Sequence, residues 1–482
     1  MAETIRPNIL FICVDQWRAD CLSATGHPTV ETPHLDLIAD QGVIFTQAYT
    51  ACPSCIAARA SIFTGLAPRR HGFVGYRDGV HWEYPTTLAG TLASAGYHTQ
   101  CVGKMHVYPY RNLMGFHNVI LHDGYLHIAR KEQRDLGHID DYIPWLREKL
   151  GESYADYADA CMGCNGYVVR PWVYDEMWHP MSWVTTQGID FLRRRDTTKP
   201  FFLMLSYHRP HPPLDPPRYY LDLYNQKELP PIPVGDWVDF GLPSGRGIDS
   251  PVPHSPSQID LARRAYYAQI THIDHQLNRM MMALLDYGLL DNTAILFTSD
   301  HGDMLYDHNQ VAKTVPYDGS TRVPFILRLP SSYSSATYKR GQQISAPIEL
   351  RDIFPTFCDI AGTDIPSSLD GSSVLSLYRG DNEWREYIHG EHTGGNISNH
   401  WVTDGREKYA WFSQTGRELL FNIADDPQEM HDLSKEQSER LTYWREKLVQ
   451  ELVGREEGFV QDGKLIVGRP QSPTLKHAGK GI

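Results

Sequence analysis

Two apolar runs in this chain each end in an acid followed by a second ligand-type side chain. ILFICV is followed by Asp15-Gln16, and AILFTS by Asp300-His301, with Asp303 and His308 close behind in SDHGDMLYDHNQ. Two carboxylates brought together from distant parts of a chain, one backed by an amide and one by an imidazole, make an oxygen-rich site for a divalent cation. Singly, each has a blander explanation: Asp15 as a helix cap, Asp300 as the first residue of a turn.

A third candidate lies in CPSCIAARASIFTG, residues 52–65. Cys52-x-x-Cys55 has a partner pair in Cys161-x-x-Cys164, but the two pairs are too far apart for a compact zinc module. A redox pair would require a small thioredoxin-like pattern that the chain lacks. Cys52 therefore reads as a structural thiol. Cys55 opens a helix-compatible stretch, where unpaired backbone N–H groups and the positive end of the dipole suit an oxyanion or an anionic nucleophile. Arg59, four residues on, can return along the same face to pair with that anion. Lys104 and His106 follow the strand-like YHTQCVG, where alternate residues point to one side. His211 in RPHPP and Lys313 in QVAKTVPY complete the set; each of these four, taken alone, also reads as an ordinary surface group.

The elements that must position these residues are legible as alternation. Short apolar runs at 9–14, 201–206, 294–299 and 325–329 are separated by helical-period stretches, the longest at 259–288. That pattern predicts an α/β fold with a parallel sheet covered by helices on both faces. Ligands collect at the carboxyl ends of such strands, which directs attention to Asp15-Gln16, His208, His211 and Asp300-His301. Turn residues cluster near 365–380, after which HWVTD, KYAWFS and ELLFNI alternate and a helical segment follows at 434–453. We expect a domain over 1–375 and a smaller C-terminal antiparallel sheet plus helix over 376–482. The Pro- and Gly-rich region 207–258 is expected to be irregular and functional.

Composition narrows the function classes. With 482 residues, 41% hydrophobic and 21% charged, the chain can bury a large core. A formal charge of −13, spread along the chain, argues against nucleic acid as a partner, so an anionic substrate must be held by local cations. No apolar run approaches the ~18 residues of a membrane span, and MAETIRPNILFICVDQW has no signal-peptide pattern. Together with cysteines inside apolar segments (Cys13, Cys101, Cys358), this predicts a cytoplasmic protein with free thiols, unless a leader precedes it.

Taken together, the motifs resemble those of a known family. Cys55 to Gly65 resembles the sulfatase signature, Cys-x-Pro-Ser-Arg followed by four residues and Thr-Gly, with Ala57 where proline is usual. VDQ (14–16), GKMH (103–106), PHPP (210–213), TSDHGD (298–303), and Lys313 before TRVP (321–324) resemble further family motifs in the same order. DGREKYAWF and LFNIADDPQEMHDL resemble its C-terminal domain. The resemblance spans nearly the whole chain and implies an alkaline phosphatase-like α/β fold, a large mixed, mostly parallel sheet sandwiched by helices. It also implies that Cys55, not Cys52, is oxidised to Cα-formylglycine, whose hydrate is the nucleophile. Ala57 points to a radical, oxygen-independent maturase as partner. Gln16 and His301 depart from the Asp and Asn of many sulfatases.

Carried onto this chain, the resemblance implies one divalent cation, Ca²⁺ with Mn²⁺ or Mg²⁺ as alternatives, on Asp15, Gln16, Cys55, Asp300 and His301. Arg59 and Lys104 would hold the hydrate and the sulfate, and His211 and Lys313 the sulfate and leaving oxygen. His106 would take a proton so that the sulfated hemiacetal expels sulfate. The expected substrate is an aryl or carbohydrate sulfate, with aromatic and basic loops at 73–82 and 207–220 suiting a sugar. A phosphonate monoester or phosphodiester hydrolase is the alternative on the same scaffold; from the resemblance those enzymes tend to carry Tyr and Thr where this chain has Lys104 and His106. An unmodified, metal-binding pseudoenzyme is the third reading.

Overall fold

The computed structural model describes residues 6–124, 136–151, 162–239, 254–381, 383–395 and 397–481. Its main sheet contains strands β1 (Asn8–Asp15), β2 (Val43–Phe45), β3 (His98–Gly103), β4 (Asn118–Leu121), β5 (Phe201–Pro210), β6 (Thr293–Ser299), β7 (Phe325–Arg328) and β8 (Gln342–Ile344). Among the described residues these eight lie in the order β4-β3-β5-β1-β6-β7-β2-β8. Only β7 runs antiparallel to its neighbours, as a mostly parallel sheet requires.

The central strand explains why the sheet is sandwiched. Ile9, Phe11 and Cys13 point into one core, shared with helices α1 (Cys55–Thr64) and α4 (Ile353–Ala361). Leu10, Ile12 and Val14 point into the other, shared with α2 (Pro180–Arg194) and α3 (Pro256–Asp286). Each such fully buried side chain contributes roughly 1.5–3 kcal/mol, so a one-residue slip of β1 would exchange both cores at once. The long α3 begins at Ser255, whose hydroxyl and the Gln258 side chain form a reciprocal cap.

Beyond the main sheet, β9 (Ile388–Gly394), β10 (Ile397–Thr403), β11 (Glu407–Phe412) and β12 (Arg417–Asn422) form an antiparallel sheet in sequence order. Helix α5 (Ser438–Leu452) covers one face through Trp444, Leu448 and Leu452 against Val402, Tyr409 and Trp411. The other face, through Ile388, Trp401 and Phe421, packs on Tyr49, Met304, Val315 and Tyr317 of the larger unit. Strand β9, polar and without clear alternation, was absent from the sequence expectation. Region 207–258 is also more ordered than expected, since β5 extends to Pro210 and a helix spans Arg218–Tyr224; residues 240–253 lie outside the described residues.

Candidate active site

Strand register brings the two acid pairs together. Val14 lies opposite Ser299 and Asp15 opposite Pro210, so three strands end at one edge. The Asp300 N–H donates to the Val14 carbonyl (3.1 Å), and the His211 N–H donates to the Asp15 carbonyl (3.1 Å). Helix α1 points its first residue at that edge: Ser54 is extended, Cys55 begins the helix, and Gly65 ends it in the left-handed conformation.

One ligand-type atom each from Asp15, Cys55, Asp300 and His301 lies within 4.8 Å of the others, and all four residues are buried. His301 Nε2 is 3.2 Å from Cys55 Sγ and 3.3 Å from Asp15 Oδ1. His301 Nδ1 is 3.0 Å from the Gly302 carbonyl, which can only accept, so Nδ1 carries a proton and Nε2 is the ring nitrogen turned to the cluster. Gln16 is oriented by its surroundings. Its Nε2 donates to Asp303 Oδ2 (2.7 Å), which leaves Oε1 accepting from Lys313 Nζ (2.7 Å). This donor set, two buried carboxylates, an amide oxygen and an imidazole nitrogen beside a thiol, fits a divalent cation with a preference for oxygen.

Cations surround the cluster. Lys104 Nζ pairs with Asp15 Oδ2, and Arg59 Nε with Asp300 Oδ2 (3.0 Å). Arg59 Nη1 donates to the Lys104 carbonyl (2.7 Å) and to Ser206 Oγ (2.9 Å), while Nη2 is buried without a hydrogen bond. Arg59, four residues into α1, thus pairs with Asp300, the carboxylate that meets the helix's first residue, Cys55. Lys313 Nζ lies 3.8 Å from Cys55 Sγ.

The charges set the protonation states. Burial alone would raise the Asp15 carboxyl, but Lys104 above all holds it well below the usual carboxylate range. Burial and Asp15 oppose ionisation of Cys55, yet Lys104, Lys313 and His301 outweigh them and lower its thiol. Burial, with Lys313 and Lys104, pushes His211 well below its ordinary value, so the ring is neutral and its Nδ1 donates to the Pro212 carbonyl (2.8 Å). Cys52, three residues from Cys55, is raised well above the ordinary thiol value by burial and by Glu391.

Lys104 and His106 arrive differently from the strand alternation expected of them. β3 ends at Gly103 (φ +101°), where a Cβ would lie 2.0 Å from the Ser206 carbonyl. The two residues instead occupy a turn held by Asp123 Oδ1, which accepts from the Met105 and His106 N–H groups (2.9 and 3.1 Å). His106 has φ +57°, and Gln16, Ala312 and Thr314 are also left-handed. Such non-glycine positions cost roughly 1–3 kcal/mol each and cluster at functional sites. Tyr76, 43% exposed, stands beside the His106 ring with centroids 5.7 Å apart.

Several neighbouring residues were given no role from the sequence. Asp303 fixes Gln16 and accepts from Tyr167 Oη (2.6 Å) and from the Ala312 N–H (3.1 Å), which sets the approach of Lys313. His392, on β9, is buried, has no hydrogen bond at either ring nitrogen, and feels the charges of His301 and Lys313. Cys52 belongs to no candidate metal group among the described residues, and Cys161, its proposed zinc partner, lies outside them. A cavity of about 380 Å³ opens elsewhere, beside Arg18, Asp307 and Arg322. None of the candidate residues lines it, and Arg18 is already paired with Asp20 and Asp307.

A mixed sheet between helices, with acids, an imidazole and a cation-ringed thiol at its strand ends, has the architecture of the alkaline phosphatase-like hydrolases. The comparisons with known proteins agree. The chain matches the family described as Sulfatase over residues 7–363, and that described as N-sulphoglucosamine sulphohydrolase, C-terminal, over residues 306–457. It is 49% identical to an arylsulfatase of Clostridium perfringens, covering 98% of this chain and 100% of that protein. The fold is shared with a phosphonate monoester hydrolase of Agrobacterium radiobacter at a TM-score of 0.76, with 26% identity over 92% of this chain and 95% of that one. It is also shared, at a TM-score of 0.71 and 21% identity over 93% of this chain and 97% of the other, with a protein solved in complex with its substrate D-glucosamine-2-N,6-O-disulfate. The chain belongs to the sulfatase family and is a hydrolase of sulfuric ester bonds. No helix among the described residues is long and apolar enough to cross a membrane.

Proposed function

We propose that the protein hydrolyses aryl or carbohydrate sulfate esters with an oxygen nucleophile derived from Cys55. The observation that carries this reading is the buried convergence of Asp15, Cys55, Asp300 and His301 within 4.8 Å, ringed by cations. Conversion of Cys55 to formylglycine supplies, as its hydrate, the hydroxyl that a thiol lacks. The bound cation, Ca²⁺ with Mn²⁺ or Mg²⁺ as alternatives, would be held by Asp15, Gln16, Asp300, His301 and modified Cys55. It supplies Lewis-acid stabilisation of the ester oxygens and a more acidic nucleophile.

The chain's own groups then divide the remaining work. Arg59, locked to Asp300, and Lys104, locked to Asp15, present fixed positive charge to the transferring sulfo group without reorganising. Lys313, whose ammonium lies 3.8 Å from Cys55 Sγ, donates the proton to the leaving oxygen. His211 contacts that oxygen but is neutral in the free protein with its proton on Nδ1, which leaves donation to Lys313. His106 accepts a proton from the remaining hydroxyl at position 55, releasing sulfate. Ala57 in the signature supports maturation by a radical, oxygen-independent enzyme. The free thiols of the described cysteines support a cytoplasmic site of action. The change from the mostly parallel to the antiparallel sheet supports a division between Ile344 and Ile388, the stretch that contains the expected boundary at 375 and 376, although a helix at Leu375–Arg379 spans that boundary.

Likeness to the phosphonate monoester hydrolase favours a second reading, in which a phosphonate or phosphate diester is attacked on the same scaffold. Lys104 and His106 argue for the sulfate ester. The test is protein co-expressed with a radical maturase: the Cys55 peptide should lose sulfur and gain oxygen in mass, and the enzyme should cleave sulfates faster than matching phosphonates. An unmodified Cys55 in the native host would support the pseudoenzyme.

A further inference from the structure

The face of the C-terminal sheet that meets the larger unit carries two unmet polar groups. His392 on β9 lies directly opposite Asn399 on β10, so both side chains share one face. Strand parity identifies it. Ile388 and Trp401, on the same alternation as His392 and Asn399, belong to the core with Met304, Val315 and Tyr317. That face therefore covers the segment carrying Lys313. Asn399 Nδ2 confirms the contact by donating to the Thr314 carbonyl (2.9 Å), which fixes the amide with Oδ1 turned away from it.

His392 is 3% exposed and Asn399 fully buried, yet among the described residues both nitrogens of His392 and Oδ1 of Asn399 lack a hydrogen-bond partner. Leaving a buried polar atom unmet costs about 1–3 kcal/mol, and here three such atoms lie on one cross-strand pair. The segment is rigidly seated. The Glu391 N–H donates to the Ala51 carbonyl and the Thr393 N–H to the Val74 carbonyl, both at 2.7 Å. A Cβ on Gly75 would fall 1.8 Å from the Thr393 carbonyl, so the close approach requires glycine. The same two tethers flank helix α1 in sequence and fix β9 against the chain that delivers Cys55.

We propose that His392 and Asn399 form a subsite for a free hydroxyl on the alcohol half of the substrate, which makes that half a polyol such as a sugar and not a bare aryl ring. The chemistry selects the ligand. Asn399 Oδ1 requires a donor, which a carboxylate or second sulfate lacks, while Lys313 nearby repels an ammonium. A hydroxyl can donate to Oδ1 and at the same time accept from the imidazole. Burial, with His301 and Lys313, pushes the His392 ring down to about 3, consistent with a neutral group that offers one donor and one acceptor.

The proposal rests on the sulfate-ester reading, and the test separates the two. Matured wild type, His392→Ala and His392→Gln would be assayed on a panel of methyl glycoside monosulfates with a free neighbouring hydroxyl. Deoxy counterparts, 4-nitrophenyl sulfate and a phosphonate monoester complete the panel. Wild type should prefer a hydroxylated sugar sulfate over its deoxy form by roughly 10- to 100-fold in kcat/KM. His392→Ala should remove that preference while changing 4-nitrophenyl sulfate less than about threefold, and His392→Gln should restore part of it. An equal loss on all sulfates, no preference between hydroxylated and deoxy forms, or turnover of aryl sulfate alone would overturn the subsite. Turnover of the phosphonate and of no sulfate would overturn the underlying reading and the subsite with it.

Discussion

At the carboxyl ends of β1 and β6 charge is matched by charge: Asp15 with Lys104, Asp300 with Arg59, and Cys55 among three cationic neighbours. On the face of β9 and β10 that covers the segment carrying Lys313, His392 and Asn399 are neutral polar groups, and three of their atoms have no partner among the described residues. The difference fits a division of labour. Buried charge is retained only where it is compensated, so the strand-end floor is preorganised for an anion whose charge is fixed by the reaction. A wall that recognises a neutral alcohol has no charge to match, and its unmet atoms mark where the ligand's own hydrogen bonds belong.

The largest effect should come from exchanging the two cysteines' fates. Cys55→Ala is expected to abolish turnover, a loss of at least about 10⁴-fold, with the unfolding transition intact. Cys52→Ala, far from the cations and held protonated by burial, should keep activity within a few-fold and cost roughly 1 kcal/mol of stability. Steady-state assays beside urea unfolding of both variants decide it; a dead Cys52 variant with an active Cys55 variant would invert the assignment. Next in size, chelation should lower activity by several kcal/mol of transition-state stabilisation, on the order of 10³-fold, restored by adding a divalent cation. Asp300→Asn should lose as much and, unlike chelation, also destabilise the fold by about 3–5 kcal/mol, because Arg59 is left buried and unpaired.

These two regions also differed in how far the sequence revealed them. Asp15 and Asp300 were legible because each follows an apolar strand, and parallel strands gather their carboxyl ends on one edge. Hydrophobic alternation was enough to read the mostly parallel sheet, the long helix and three of the four antiparallel strands. Asp303 stood in a quoted motif, but its grip on Gln16 and Ala312 depends on a left-handed loop that no periodicity reveals. His392 and Asn399 were invisible for another reason. IHGEHTG has no apolar alternation, and their meeting depends on antiparallel register and on docking of one sheet against the other, both long-range properties. His106 is intermediate: its identity was readable, while its placement comes from Asp123 and a positive φ instead of strand alternation.

Within the charged floor, Lys104 and His106 should separate by reaction step. Lys104→Ala removes a cation beside the transferring group, so kcat/KM should fall about 10²- to 10³-fold, most for esters with poor leaving groups. His106→Ala should instead slow release of sulfate, so that protein carrying a covalent sulfo group accumulates even with a good leaving group. Burst-phase measurements on a series of aryl sulfates distinguish them. Identical leaving-group dependence in both variants would place the two residues in one step and erase the distinction.

The smallest effect on chemistry, and the most selective for the wall, is expected from Glu391. Its carboxylate forms a two-pronged pair with Arg455 (both contacts 2.8 Å) beneath the strand that carries His392. Although burial opposes ionisation, Arg455, followed by His400 and His389, lowers the group from 4.5 to about 2. A depressed carboxyl pKa stabilises the fold above the unfolded value, and that contribution is lost as pH falls from about 4.5 through about 2. The shift corresponds to about 3 kcal/mol. Glu391→Gln should therefore be less stable than wild type near pH 7 by an amount of that order, and the gap should narrow as pH is lowered through this window. Urea unfolding at pH 7, 4.5 and 3 measures it; a gap independent of pH would mean that the pair does not seat the strand. Because the floor is untouched, kcat on 4-nitrophenyl sulfate should change less than about threefold, while KM for a hydroxylated sugar sulfate rises as His392 loses its fixed position. Parallel losses on both substrates would show that the two regions are mechanically one.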